Sequence, residues 1–92
     1  MADTVIDNPS RSRFELPVGG VLAVAEYRIE HGRVVLAHTE VPSELSGQGV
    51  GSRLAKGVLD AIRASGRRVI LECDFMAAYV ARHPEYADLL AS

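Results

Sequence analysis

The stretch SELSGQGVGSRLAKGVLDAIR, Ser43–Arg63, changes its period in the middle. Up to Gln48 it is polar and broken by glycine. From Gly49 onward Val50, Leu54, Val58 and Ile62 recur every four residues, with Ala55, Leu59 and Ala61 beside them. That is the apolar stripe of an amphipathic helix. Arg53, Lys56, Asp60 and Arg63 fall mostly on the other side, and Gly66 is a natural C-terminal stop. Three glycines, Gly47, Gly49 and Gly51, stand at the mouth of this helix, where Ser, Thr, Asp or Asn is the usual cap. Repeated glycine there costs stability. Either the loop is only a turn, or something approaches its backbone closely.

Working outward from the helix, the residues before it read as strands. Phe14 and Leu16 alternate with Arg13 and Glu15, the pattern of a half-buried strand. Pro17 and the Gly19-Gly20 pair mark a turn, Val21–Ile29 is rich in β-formers, and Glu30-His31-Gly32 is a hairpin-like break. Arg33–Thr39 follows as a strand whose apolar run Val34–Ala37 predicts burial on both faces. An earlier strand is expected over Thr4–Asp7. Pro42 closes the fourth strand, and Ser43–Gln48 is loop. Beyond the helix, Arg68–Glu72 reads as a strand and Phe75–Arg82 as a second helix. Pro84 separates off a short last helix over Glu85–Leu90. The order is β-β-β-β-α-β-α-α, an α/β fold with a mixed sheet. Short connections make the first four strands antiparallel. The helical crossover makes strands four and five parallel, with a right-handed connection.

Composition narrows the function classes. Ninety-two residues predict a single domain over 1–92, and 48% hydrophobic with 24% charged residues fits a soluble globular chain. A net charge of −2 gives no whole-protein attraction to nucleic acid or to an anionic membrane, so neither is an expected partner. Cys73 is the lone cysteine and the three histidines show no ligand spacing, which predicts neither an internal disulfide nor a metal site. MADTVIDNPSRSRFELPV lacks the basic-then-apolar layout of a signal peptide, and the longest apolar run, Gly19–Ala25, is too short to span a bilayer. A cytoplasmic location is expected; the oligomeric state is left open.

The glycine loop lies at the carboxyl end of strand four, where ligands sit in α/β units. A helix start offers unpaired N–H groups and a positive dipole end, and glycines clear side chains from them. This makes an anion cradle, most often for phosphate, with a plain surface loop as the alternative. No Lys-Ser/Thr pair follows, so it is not a Walker loop, and Gly47, Gly49 and Arg53 do not give G-x-G-x-x-G.

Gly47-QGVG-Gly51 followed by Ser52-RLAKGVLD resembles the pyrophosphate loop of GNAT-type acetyltransferases, whose pattern is Arg/Gln-x-x-Gly-x-Gly/Ala. Gly49-Val50-Gly51 match its second half, and Ser46 stands where that pattern has Arg or Gln. His38-TEVP-Pro42, Cys73, Ala77-Ala78-Tyr79 and His83-PEY-Tyr86 are similar to motifs of a minimal single-domain branch of that family. The resemblance implies a GNAT-like fold that binds acetyl-CoA and transfers its acetyl group to an amine. It implies that Gly47, Gln48, Gly49, Val50, Gly51 and Ser52 hold the pyrophosphate, and that the backbone near Thr39 to Val41 pairs with the pantetheine arm. It also implies catalytic roles for Cys73 and His38, with Tyr79 where many members protonate the departing thiolate. Helices that usually shape the acceptor pocket have no room here, which favours a bulky or protein-borne amine.

The residues themselves leave the chemistry open. A lone Cys is commonly a small buried hydrophobe, and a lone His is commonly a strand residue with a satisfied hydrogen bond. Placed together at one end of the sheet, His38 could draw the proton from Cys73, whose thiolate would accept the acetyl group. Alternatively the amine attacks acetyl-CoA directly and His38 or Glu40 takes its proton. Tyr79 could equally pack in the core. Two non-catalytic classes stand beside the enzyme: a CoA or acyl-CoA binder acting as sensor or carrier, and an interaction module that keeps the fold.

Overall fold

A computed structural model describes residues 4–91. Five strands form one sheet in the order β1-β2-β3-β4-β5: β1 Ile6–Asn8, β2 Arg13–Val18, β3 Val21–Glu30, β4 Arg33–Glu40 and β5 Val69–Leu71. The first four pair antiparallel, and β4 pairs with β5 in parallel, as the sequence predicts. Between β4 and β5 runs α1, Val50–Ser65; after β5 comes α2, Asp74–Arg82. The last segment, Pro84–Leu89, is a 3-10 helix rather than an α-helix, and another 3-10 turn, Ser43–Leu45, lies within the expected loop.

Local chemistry explains the joints. The β3–β4 hairpin turns on His31 and Gly32, both at positive φ (53° and 77°), the pair of conformations that matches the twist of a two-residue turn. Pro17 stays inside β2 and the turn falls wholly on Gly19-Gly20. β1 pairs only with Arg13–Glu15, so among the described residues β2 has a free edge at Pro17, where a missing N–H is tolerated.

The two faces of the sheet differ. Phe14, Leu16, Ala23, Ala25, Val34, Leu36 and Val69 face one core with the stripe Val50, Leu54, Ala55, Val58, Leu59 and Ile62 of α1, and with Met76, Tyr79 and Val80 of α2. Leu54 and Leu59 are fully buried, and each contributes on the order of 2 kcal/mol relative to exposure. Gly57 is an internal helix glycine with a packing reason: a Cβ there would collide with the side chain of Val5. Among the described residues no helix covers the opposite face, yet Val35 on it is only 1% exposed. Its cross-strand neighbour Arg28 reaches over β4 to Glu72 through two hydrogen bonds of 3.0 and 2.7 Å and roofs it. The continuous run Val34-Val35-Leu36 is thus buried on both faces, while Ala37, its last residue, is exposed.

Candidate functional site

The upper half of β4 is built differently from its lower half. Parallel pairing with β5 ends at Leu36↔Leu71, and the amides of Glu72 and Cys73 both donate to the Leu36 carbonyl at 3.0 Å. Beyond that point β4 pairs with β3 alone, over Ala25↔Thr39 and Glu26↔His38. The sheet therefore splays open between Ala37–Glu40 and the start of α2. On the β3 side the register shifts between Glu26 and Tyr27, which leaves Ala37 as an extra residue, a β-bulge.

That bulge decides where the candidate side chains point. In an unbroken strand His38 would share a face with Val34 and Leu36. Instead Thr39 lies opposite Ala25 on the helix-covered face, and His38 lies opposite Glu26 on the open face. Cys73 meets Thr39: its Sγ donates to Thr39 Oγ1 at 3.2 Å. The cysteine is buried in the core as the N-cap of α2. His38 meets Glu40 instead, Nε2 to Oε1 at 3.6 Å, and both side chains are more than half exposed. The structure brings His38 and Cys73 to one end of the sheet, on opposite sides of the splay.

The glycine loop stands next to this opening. α1 begins at Val50 with Gly49 as its N-cap in the left-handed region, φ 70°, a conformation that glycine adopts without strain. Among the described residues no side chain caps the helix, and no acidic residue lies in its first turn. The first-turn amides therefore face a cleft of about 290 Å³ lined by Val41, Leu45, Ser46, Gly47, Gly49–Ser52 and Phe75. Gln48 is exposed and is not part of that lining; its side chain leans back toward the Glu44 carbonyl at 3.4 Å. Phe75, from the first turn of α2, is a wall that sequence reasoning missed. Its only signal was a large apolar residue two positions after the cysteine, at a site 39% exposed in the fold.

Tyr79 is buried, one helical turn beyond Phe75 on the same stripe of α2. Its ring stacks on His83 at 3.9 Å, and His83 Nδ1 lies 2.8 Å from the Tyr79 carbonyl oxygen. Burial, then the charge of Glu85, holds its phenol above the ordinary tyrosine range, so it stays protonated near neutrality. Among the described residues its hydroxyl has no hydrogen-bonding partner. Nearby, Asp60 of α1 accepts from Lys56 Nζ at 2.9 Å and from the Tyr86 hydroxyl at 2.7 Å, tying α1 to the C-terminal segment.

A larger cavity, about 570 Å³, lies at the other end of the sheet between Phe14, Tyr27, Ile29, Val34, Ile62 and Arg67. None of the candidate residues lines it, so size alone does not mark the site. No helix among the described residues is long and apolar enough to cross a membrane.

Comparison with known proteins bears on the same segment. The model of the GCN5-related N-acetyl-transferase family matches residues 13–89. The NMR solution structure of a GCN5-like protein from Staphylococcus aureus, itself provisionally assigned as an N-acetyltransferase, superposes with a TM-score of 0.71 at 26% identity, over 99% of this chain and 90% of that one. No curated protein matches.

Proposed function

Because this chain belongs to the GCN5-related N-acetyltransferase family, we propose that it moves the acetyl group of acetyl-CoA to an amine at the splay between β4 and α2. The observation that carries this reading is the bare start of α1. It is a 16-residue helix whose positive end has neither cap nor acid, and it opens on a cleft beside the unpaired half of β4. The amides from Gly47 to Ser52 suit the diphosphate. The edge from Thr39 of β4 to Val41 just beyond it, which does not pair with β5, suits the amide groups of the pantetheine arm. Gln48 would act through its backbone, since its side chain turns away.

Direct transfer fits the side-chain placement best. The amine approaches over the open face, which no helix covers, and attacks the thioester carbonyl carbon. His38, with Glu40 beside it, takes the proton that the nitrogen loses. The C–S bond breaks, and the departing CoA thiolate takes a proton from Tyr79, the group that burial keeps protonated. The exposure of His38 and Glu40 favours an amine carried on a large or protein acceptor.

A second route is favoured by one observation, the position of Cys73 at the inner lip of the splay. There the thiol would exchange with the thioester, releasing CoA–SH and leaving an S-acetyl cysteine that the amine later attacks. The tests separate the possibilities. Titration calorimetry with CoA comes first; an absence of binding sinks the enzyme and carrier readings together. Acetyl-CoA consumption with an amine panel follows. On direct transfer, His38→Ala slows turnover by about 10²-fold or more while Cys73→Ala retains it. An acetyl adduct on Cys73 by mass spectrometry, with turnover lost in Cys73→Ala, favours the second route. Tight binding without transfer to any amine leaves a CoA carrier.

A further inference from the structure

Gly51 is close-packed for a reason its place in the loop does not suggest. A Cβ at Gly47 or Gly49 would meet nothing within 4 Å, so those positions are open toward the solvent side of the cradle. A Cβ at Gly51 would lie 2.8 Å from Cζ and 3.3 Å from Cε1 of Phe75. The missing side chain makes room for the aromatic ring, which rests on the first turn of α1. The ring stays 39% exposed and, with Val41 and Leu45, forms an apolar wall beside the amides.

We infer that Gly51 and Phe75 act as one unit that makes the cleft select the pantetheine-bearing part of its ligand over a bare nucleotide diphosphate. The inference rests on the acetyl-CoA reading above. One methylene beyond its diphosphate, coenzyme A carries a quaternary carbon with two methyl groups. With the diphosphate on the α1 amides and the arm running along Thr39–Val41, those methyls fall next to the amides on the β4 side, where Val41, Leu45 and Phe75 present apolar surface. A nucleotide ending at the diphosphate satisfies the amides and leaves that wall in water. Covering two methyl groups and an exposed ring edge is worth about tenfold in affinity. Phe75 is thus a binding and specificity residue, and Gly51 positions it.

The experiment compares coenzyme A with adenosine 3′-phosphate 5′-diphosphate, the same charged portion without the arm, by titration calorimetry. Expected for Phe75→Ala is a loss of about tenfold for coenzyme A and less than about twofold for the nucleotide. Phe75→Leu, which restores apolar bulk, recovers most of the loss. Gly51→Ala weakens coenzyme A in the native background by displacing the ring, and adds no further loss in the Phe75→Ala background. An unchanged amide spectrum by NMR away from residues 41–52 and 73–79 certifies the fold of each variant. Equal losses for both ligands in Phe75→Ala, or additive losses for the two substitutions, overturn the unit. If the native protein binds coenzyme A and Phe75→Ala binds it equally well, the inference fails while the acetyl-CoA reading stands. If the native protein binds neither ligand, both fail.

Discussion

The two helices of this protein start in opposite ways. α2 is entered from Cys73, its N-cap in extended backbone, and has Asp74 in its first turn. Its positive end is answered from within the chain. α1 has a left-handed glycine, Gly49, as its N-cap and no acidic residue in its first turn. Neither helix has a side-chain cap, and a carboxylate in the first turn is worth some tenths to about 1 kcal/mol, so α1 forgoes the stabilisation that α2 takes from Asp74. Both starts lie at the same end of the sheet, a few residues from the splay. On the proposed reading, the start of α2 is structural and that of α1 is left for an anion from outside.

The largest test closes α1 as α2 is closed. Ser52→Glu gives the first turn its own carboxylate, and CoA affinity is expected to fall by about 100-fold, since a like charge set against a bound anion costs several kcal/mol. The thermal midpoint should hold or rise, because the carboxylate favours the helix. A falling midpoint with unchanged affinity would break the comparison.

Next in size is the left-handed cap. Gly49→Val forces a β-branched residue to φ 70° and is expected to cost about 1–2 kcal/mol in chemical denaturation, with weakened CoA binding. A smaller effect sharpens the other side: Asp74→Asn removes the answer that α2 carries and should cost about 0.5 kcal/mol while CoA affinity stays the same.

The smallest effect is read in acid. The hydrogen bond from Lys56, then that from Tyr86, lowers the Asp60 carboxyl below its ordinary range. A lowered folded-state value means that the carboxylate stabilises the fold above the ordinary aspartate value of 3.8, and that this contribution is lost as pH falls below it. Asp60→Asn should therefore flatten stability against pH in that acid window and leave the neutral-to-basic limb unchanged.

Much of this was legible in the residues. The switch from alternation to a four-residue period at Gly49 placed α1. The crossover it implied made β4 and β5 parallel, which put Cys73 and His38 at one end of the sheet. Their separation onto two faces was not legible. It depends on Ala37, a residue with no turn or breaker signature, becoming a bulge through its pairing with β3. Register is a property of two strands, and one strand's pattern does not report it. Phe75 was invisible for a related reason. Its partner Gly51 lies 24 positions earlier and touches it only through helix–helix packing. Pro84 correctly signalled a break, but whether Pro84–Leu89 wound as α or 3-10 was set by contacts such as Tyr86 with Asp60.

The ion pair that crosses β4 has a colloidal consequence. Leu22, Val24, Val35 and Ile70 lie on the sheet face that no helix covers. Without cover, Val35 at its centre would join them into an apolar strip of the kind that drives self-association. Arg28 lays its aliphatic stem over that valine while its guanidinium, fixed by Glu72 and Glu30, stays in water. Two strands thus share one charged lid that interrupts an apolar strip on a bare sheet, while the side chain of His38 on the same face stays more than half exposed.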